Sequence, residues 1–218
     1  MVDESVGGPA TRAEVLRASP PIFQWRALDR LTRVHPIVPA AIFAPVIAAL
    51  AVVASLDMPA WEAALGAVGG YGLWTLSEYW IHRVVFHFEP EDGVGARLHW
   101  IVHGVHHDHP NDPMRLVMPP VVSLPLAAVF CGAFIGVVGT PLAWAVTAGF
   151  FAGYLFYDMV HFALHHARPK SRLGKRLREL HMRHHFENDQ QGFAVSAPWW
   201  DIVFGTSSHK GRGTRARR

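Results

Sequence analysis

Residues 119–166 read PPVVSLPLAAVFCGAFIGVVGTPLAWAVTAGFFAGYLFYDMVHFALHH. Two apolar stretches, 119–139 and 141–164, are separated by only Gly139-Thr140, and the second runs out into histidines. A hydrocarbon core of ~30 Å needs about 20 helical residues, so each stretch is just long enough to cross. Backbone facing lipid must bond to itself, which makes both stretches helices. The same arrangement occurs upstream, where stretches 36–56 and 61–79 flank Asp57-Met58-Pro59-Ala60. The expectation is an all-α integral-membrane protein with four transmembrane helices arranged as two hairpins. Prolines near the starts of the first and third stretches suit helix entry, while Pro45 and Pro125 are placed to kink the interiors.

Composition and charge fit that frame. Half of the 218 residues are hydrophobic and mean hydropathy is +0.16, yet both ends are strongly charged. Neither hairpin link contains Lys or Arg. All 20 basic residues lie in Arg12–Arg33, in the 80–118 segment, or after the last span. Cytoplasmic loops retain Lys and Arg, so both termini and the 80–118 loop are expected in the cytoplasm. Residues 1–34 form a polar cytosolic segment without the apolar run of a secretory signal, and 207–218 form a basic tail. From Arg168 to Arg218 there are 12 Lys/Arg against 4 Asp/Glu, a local balance of +8. Beside membrane spans, such a region suits anionic headgroups rather than nucleic acid. Cys131 is alone in an apolar run, which excludes a disulfide framework and cysteine-based zinc sites. Arginine outnumbers lysine 17 to 3, a GC-rich bias that places the chain in a bacterial inner membrane ahead of an endoplasmic reticulum.

Histidine is the one conspicuous excess: of 15, 13 fall between His82 and His185. They form four clusters, His82/His87, His99/His103/His106/His107, His161/His165/His166 and His181/His184/His185, with the first and third at hairpin exits. A lone histidine on an apolar face is usually a satisfied core residue; four clusters at ligand spacing are not. Residues three or four apart share a helix face, so His161 points with His165, His103 with His106 or His107, and His181 with His184 or His185. Neutral imidazole binds iron, zinc, copper and nickel. Ten candidates follow: His82, His87, His103, His106, His107, His161, His165, His181, His184 and His185. That number suits two ions of five ligands each. His99, His109 and His166 are less regular, with ligand, supporting or purely structural roles open; His35 and His209 are ordinary. No His-Glu-x-x-His or Glu-x-x-His occurs, which argues against a zinc peptidase and a ferritin-like carboxylate site. Spacing alone does not separate iron from zinc, but a nitrogen-rich pair of redox ions near a membrane suits oxygen activation on an apolar substrate.

Several other residues carry paired readings. Glu78, four residues before His82, is placed either to accept that imidazole's other N–H or to lie solvated at the interface. Arg115 either holds a substrate carboxylate or phosphate or braces the loop through Asp112. Asp158 within an apolar span is costly unless used. Trp199 and Trp200 suit interfacial anchors or a lid. The 168–178 basic run suits headgroup contact.

From about Glu78 to Thr206 the sequence resembles the fatty acid hydroxylase superfamily, most closely the fatty acid 2-hydroxylases. The resemblance rests on His103-Gly-Val-His-His-Asp-His-Pro-Asn-Asp-Pro-Met-Arg-Leu-Val-Met-Pro-Pro120 and on Tyr157-Asp158 leading into His161. It rests equally on His181-Met-Arg-His-His-Phe186, Gly192-Phe-Ala-Val-Ser196 and Trp200-Asp-Ile-Val-Phe-Gly-Thr206. It implies a membrane domain over 35–206, with a cytosolic helical cap on the four helices holding a histidine-rich di-metal site. The ten histidines become ligands to two iron ions, with zinc possible in purified protein, and Tyr157 and Asp158 become near-site residues that orient ligands or substrate. The implied reaction is O2-dependent hydroxylation at carbon 2 of a long acyl chain, free or within a sphingolipid. Two departures stand out: Ala194 replaces a frequent glycine, and the cytochrome b5 domain of many members is missing. Electrons are therefore expected from a separate cytochrome b5-like carrier or ferredoxin. The alternatives are another oxygenase of the superfamily acting on a sterol or carotenoid, and a membrane metal transporter or sensor. The motifs retained after the second and fourth clusters disfavour the first alternative. Clusters at helix exits rather than mid-bilayer disfavour the second.

Overall fold

The computed structural model describes residues 10–208 and is helical, with no strand among them. Two short helices open the described chain, α1 (Arg12–Arg17) and α2 (Arg26–Leu31), and two long ones follow, α3 (Ile37–Asp57) and α4 (Ala60–Trp80). After α4 come a π-helical segment Ile81–Phe86, α5 (Gly93–His99), a second π-helical segment Trp100–Gly104 and α6 (Val105–Asp108). The long α7 (Pro120–Val138) and α8 (Leu142–His166) form the second hairpin, before α9 (Arg172–Phe186) and α10 (Trp199–Val203). His209 and most of the basic tail lie outside the described residues, as does the start of the 1–34 segment.

The long helices stand where the apolar stretches place them, within two residues at each end. Their ends are set by local chemistry. Pro59 cannot continue α3, and it enters α4 with extended ψ. Pro120 occupies the first turn of α7, where its missing N–H costs nothing, and Gly139 at φ 68° closes that helix. Pro45 and Pro125 both lie inside continuous helices. By length and composition, two helices among the described residues are apolar enough to cross a membrane, α3 and α7. Helices α4 and α8 are as long but carry acidic and histidine side chains.

Helix α8 is central, packing on α3, α4, α7 and α9. Its approach to α4 is close because both faces are small: a Cβ on Gly149 would fall on the Ala67 carbonyl, and one on Gly70 on the Val146 carbonyl. Beyond this seam an aromatic cluster fills the bundle. Trp74 meets Phe150 and Tyr154 edge-on at ring separations of 5.2 and 5.3 Å, and Phe43 meets Tyr154 at 4.8 Å. Edge-to-face contacts of this kind add to the burial of each ring.

The described part of the N-terminal segment, residues 10–34, is docked on the 109–118 loop. Buried Asp29 accepts the Ile22 N–H (2.7 Å) and pairs with Arg33 and Arg115, both at 3.0 Å. Val34 N–H donates to Met114 O and Asn111 N–H to Leu16 O.

Candidate metal centre

The ten histidines singled out by spacing are brought together in two groups of five. His82, His87, His103, His107 and His184 form one; His106, His161, His165, His181 and His185 form the other. Within each group one ring nitrogen from each histidine lies within 4.8 Å of all the others. The atoms that meet are Nε2 in every ring. His82 and His103 approach to 3.1 Å, His87 and His184 to 3.0 Å, and His103 and His107 to 3.0 Å. In the second group, His161 and His106 approach to 3.1 Å, His165 and His181 to 2.8 Å, and His181 and His185 to 3.2 Å.

Local helix geometry and the docking of separate helices together set the partition. In both HxxHH motifs the i,i+4 pair shares a group, His103 with His107 and His181 with His185. The i+3 residue, His106 or His184, crosses to the other group. The alternative left open by spacing is thus resolved: the i+3 ring, turned about 100° from the i+4 ring, serves the neighbouring group. His107 and His185 meet across the divide at 4.3 Å between rings. His82 and His87 are five apart, which on an α-helix splays them by about 140°. The π-helical turn restores a common face, its His87 N–H bonding His82 O at 3.1 Å.

Burial, reinforced by neighbouring imidazoles, holds His82, His103, His106, His181 and His185 well below the ordinary histidine pKa. The same causes bring His87 down to about 3 and His107 to about 2; burial brings His184 to about 4. These rings are neutral at pH 7, each with a lone pair to give, as metal ligation requires. Two neutral imidazoles can share one N–H···N bond, but five converging Nε2 atoms cannot all be satisfied that way. Donors about 2.1 Å from a common ion at right angles would stand about 3.0 Å apart, the separation seen here. The donor set therefore fits a metal ion in each group.

The first group is oriented by one irregular buried segment. His82 Nδ1–H donates to Phe193 O at 2.6 Å and His184 Nδ1–H to Gln191 O at 2.8 Å; each leaves Nε2 free to face inward. Asp201 holds that segment, accepting the N–H groups of Phe193 (2.9 Å) and Ala194 (3.0 Å) and the Thr206 hydroxyl (2.8 Å). Gly192 N–H closes onto Thr206 O at 2.8 Å, with Gly192 at φ 78°. The Gly-Phe-Ala-Val-Ser and Trp-Asp-Ile-Val-Phe-Gly-Thr motifs thus form one support, and Asp201, overlooked as a site residue, is its hub. In the second group, the Nδ1 atoms of His165, His181 and His185 have no protein partner.

Glu78 corrects both of its sequence readings. It is buried, neither solvated nor bonded to His82, and its carboxylate accepts the N–H of Ser196 at 2.7 Å and that residue's hydroxyl. The π-turn beginning at Ile81 rotates His82 towards Phe193 instead. Arg115 is a brace: its three guanidinium nitrogens bind Thr32, the Pro20 carbonyl and Asp29, with Asp112 at 3.8 Å, and the side chain is buried. Tyr157 stacks on His161 with ring centres 5.6 Å apart. Asp158 accepts the Met118 N–H at 3.3 Å and the Tyr154 hydroxyl, tying α8 to the entry of α7. His109 bonds Val15 O, His166 lies exposed on Phe162, and His99 stands 3.9 Å from Glu89. Exposed His35 accepts the Ile37 N–H. Trp199 is half exposed, whereas Trp200 donates to Thr75 and stacks on Phe204.

Residues 67–206 match the family described as fatty acid hydroxylase. The chain is 41% identical over 143 residues to a dihydroceramide fatty acyl 2-hydroxylase of Arabidopsis thaliana, covering 64% of this chain and 59% of that protein. It is 42% identical over 142 residues to a ceramide very long chain fatty acid hydroxylase of Saccharomyces cerevisiae, covering 63% and 36%. With the human fatty acid 2-hydroxylase it shares 38% over 140 residues, covering 63% and 38%. The chain therefore spans less than two thirds of the length of these relatives. A solved structure described as full-length scs7p, with only the hydroxylase domain visible, superposes with a TM-score of 0.80 at 36% identity. That superposition covers 84% of this chain and 70% of the other.

Proposed function

The chain belongs to the fatty acid hydroxylase family, and from that premise we propose that it is an integral-membrane di-iron monooxygenase. It hydroxylates carbon 2 of a long-chain fatty acyl group, free or within a sphingolipid. The observation that carries this reading is the convergence of ten Nε2 atoms into two five-nitrogen groups. Five nitrogens exceed the four-ligand preference of zinc and suit iron, for which imidazole is a good donor. The names of the relatives, with their ceramide and fatty acyl substrates, support the substrate class.

All four long helices cross the bilayer in this reading. Val52 and Leu56 of α3, Leu65 and Val68 of α4, and Val129 and Val137 of α7 present an exposed apolar exterior. Two carboxylates that lower the hydropathy of α4 and α8 are turned inward and bonded, Glu78 to Ser196 and Asp158 to Met118, so they do not meet lipid. The hairpin links lie at one end of the bundle and the histidines at the other. The histidine end faces the cytoplasm in this reading, a side supported by the basic loops, and the arginine-rich composition favours a bacterial inner membrane.

When bound, the ion pair would supply O2 activation: one oxygen atom would enter the carbon 2 C–H bond and the other would leave as water, with two electrons delivered singly by a reduced carrier and two protons from solvent. The protein's part is positional. The Phe193 and Gln191 carbonyls hold His82 and His184 in the tautomer that presents Nε2, and Tyr157 holds the His161 ring by stacking. The acyl chain lies among the helices with its carbonyl end at the histidine face, where the buried site excludes water. Asp158, one residue beyond Tyr157, keeps the α7 entry fixed beside that face.

Expression with a reduced cytochrome b5-like carrier or ferredoxin, followed by lipid mass spectrometry, tests the reading. An acyl gain of one oxygen at carbon 2, lost in His184→Ala and His161→Ala, is the expected result. Hydroxylation at another carbon, or activity that survives both substitutions, overturns it.

A further inference from the structure

A second cavity lies away from the histidines, between the docked N-terminal segment and the α5–π-helical junction. It has a volume of about 690 Å³, and its walls include Arg26, Arg30 and Arg33 from around α2, Arg97 of α5, and the rings of Phe23 and Trp100. Its charge is uncompensated. Asp29 is the one carboxylate on its wall, and that carboxylate is already held by Arg33, Arg115 and the Ile22 N–H. Arg33 is further occupied by Ser19. Arg26, Arg30 and Arg97 are exposed and have no carboxylate within ion-pair distance among the described residues. Three exposed guanidinium forks from two chain segments open on one cleft, and their summed positive charge attracts an anion there. Planar forks match phosphate oxygens two at a time.

The surroundings indicate which phosphate. Helix α2 ends six residues before α3 begins, and its Trp25, Leu28 and Leu31 side chains are exposed. Across the cleft, Val94 and Leu98 of α5 are exposed as well. Short helices that carry exposed Trp and aliphatic residues beside arginines, next to a membrane span, are built to lie in the interface plane. We propose that this cleft binds the phosphate of an anionic membrane phospholipid, with the flanking Trp25/Leu28/Leu31 and Val94/Leu98 surfaces against its acyl chains. The bound lipid clamps the N-terminal segment onto the π-helical segment that carries His103. The site rests on the membrane placement above but not on the hydroxylase reaction, because binding is read without turnover.

The test uses the full chain, purified with its metals in an uncharged detergent. Short-chain phosphatidic acid, short-chain phosphatidylcholine and inorganic phosphate are titrated separately, and dissociation constants are compared. Phosphatidic acid is expected to bind tightest, and the Arg26→Gln/Arg30→Gln/Arg97→Gln triple variant to weaken it by about tenfold or more. Arg97→Lys, which keeps the charge and loses the fork, serves if the triple variant fails to fold, and is expected to weaken binding by a smaller factor. Arg12→Gln/Arg17→Gln removes two exposed charges from α1, outside the cleft lining, and is expected to leave binding within about twofold. Equal loss in that control overturns the cleft assignment, as does wild-type binding in both cleft variants. Inorganic phosphate binding as tightly as phosphatidic acid overturns the lipid source.

Discussion

Replacing Asp201 by Asn should cost one metal ion and not two. The carboxylate accepts three hydrogen bonds, from the Phe193 and Ala194 N–H groups and the Thr206 hydroxyl, in a position 4% exposed. An amide of the same shape turns one acceptor into a donor that faces a donor. The loss is one charge-assisted bond, about 1.5–3 kcal/mol, plus an unsatisfied buried N–H at about 1–3 kcal/mol. The segment relieves that strain by shifting, and its Phe193 and Gln191 carbonyls are what orient His82 and His184. Loss of such an orienting partner weakens metal affinity by roughly 10–100-fold, equivalent to about 1.4–2.7 kcal/mol. Among the described residues, Phe193 meets only His82, His87 and His184 of the ten rings, all in the first group. Metal content measured by mass spectrometry during chelator titration should therefore fall from two ions to one at chelator strengths that leave the wild type full. An Asp201→Asn protein that loses both ions together, or that keeps both with unchanged affinity, refutes the reasoning.

Other consequences follow from the same coordinates. Gly149→Ala sets a methyl against the Ala67 carbonyl; because backbone cannot rotate aside, it should lower stability by at least ~1–3 kcal/mol. Gly132→Ala, which meets nothing within 4 Å, should leave the melting temperature unchanged. Arg115→Lys should lower the melting temperature without altering metal content, because a single ammonium cannot hold Asp29, Thr32 and the Pro20 carbonyl together. In chelator-stripped protein the folded-state pKa values of His87, His107 and His184, about 3, 2 and 4, lie below the unfolded value. The unfolded chain therefore binds more protons below about pH 6.5, and stability present above that pH is lost as pH falls. Melting temperature should drop from pH 7.5 to pH 5, and metal loading should flatten the dependence; a flat profile in the stripped protein contradicts it.

The long helices were legible because length, apolarity and terminal prolines act locally. The identity of the ten clustered histidines was legible because helix periodicity limits which rings can share a face. Three features were not. Sorting His106 and His184 into the opposite groups depends on how separate helices dock. The common face of His82 and His87 needs a π-turn, which nothing in Ile81–Phe86 announces by composition. The partner of Glu78 lies 118 residues away at Ser196, so an i,i+4 argument pointed to the wrong neighbour. The motif around Asp201 was visible as a resemblance, but its hydrogen-bonding task required coordinates. The close α4–α8 seam was likewise hidden, since glycines in apolar helices do not reveal which backbone they meet.

X-ray absorption at the iron edge, combined with metal counting on active protein, tests the two-site centre most directly. Two iron ions per chain are expected, each with a shell of about five imidazole nitrogens near 2.1 Å. A single ion per active chain, or a shell dominated by carboxylate oxygen, would contradict the assignment of ten histidines to two metal sites.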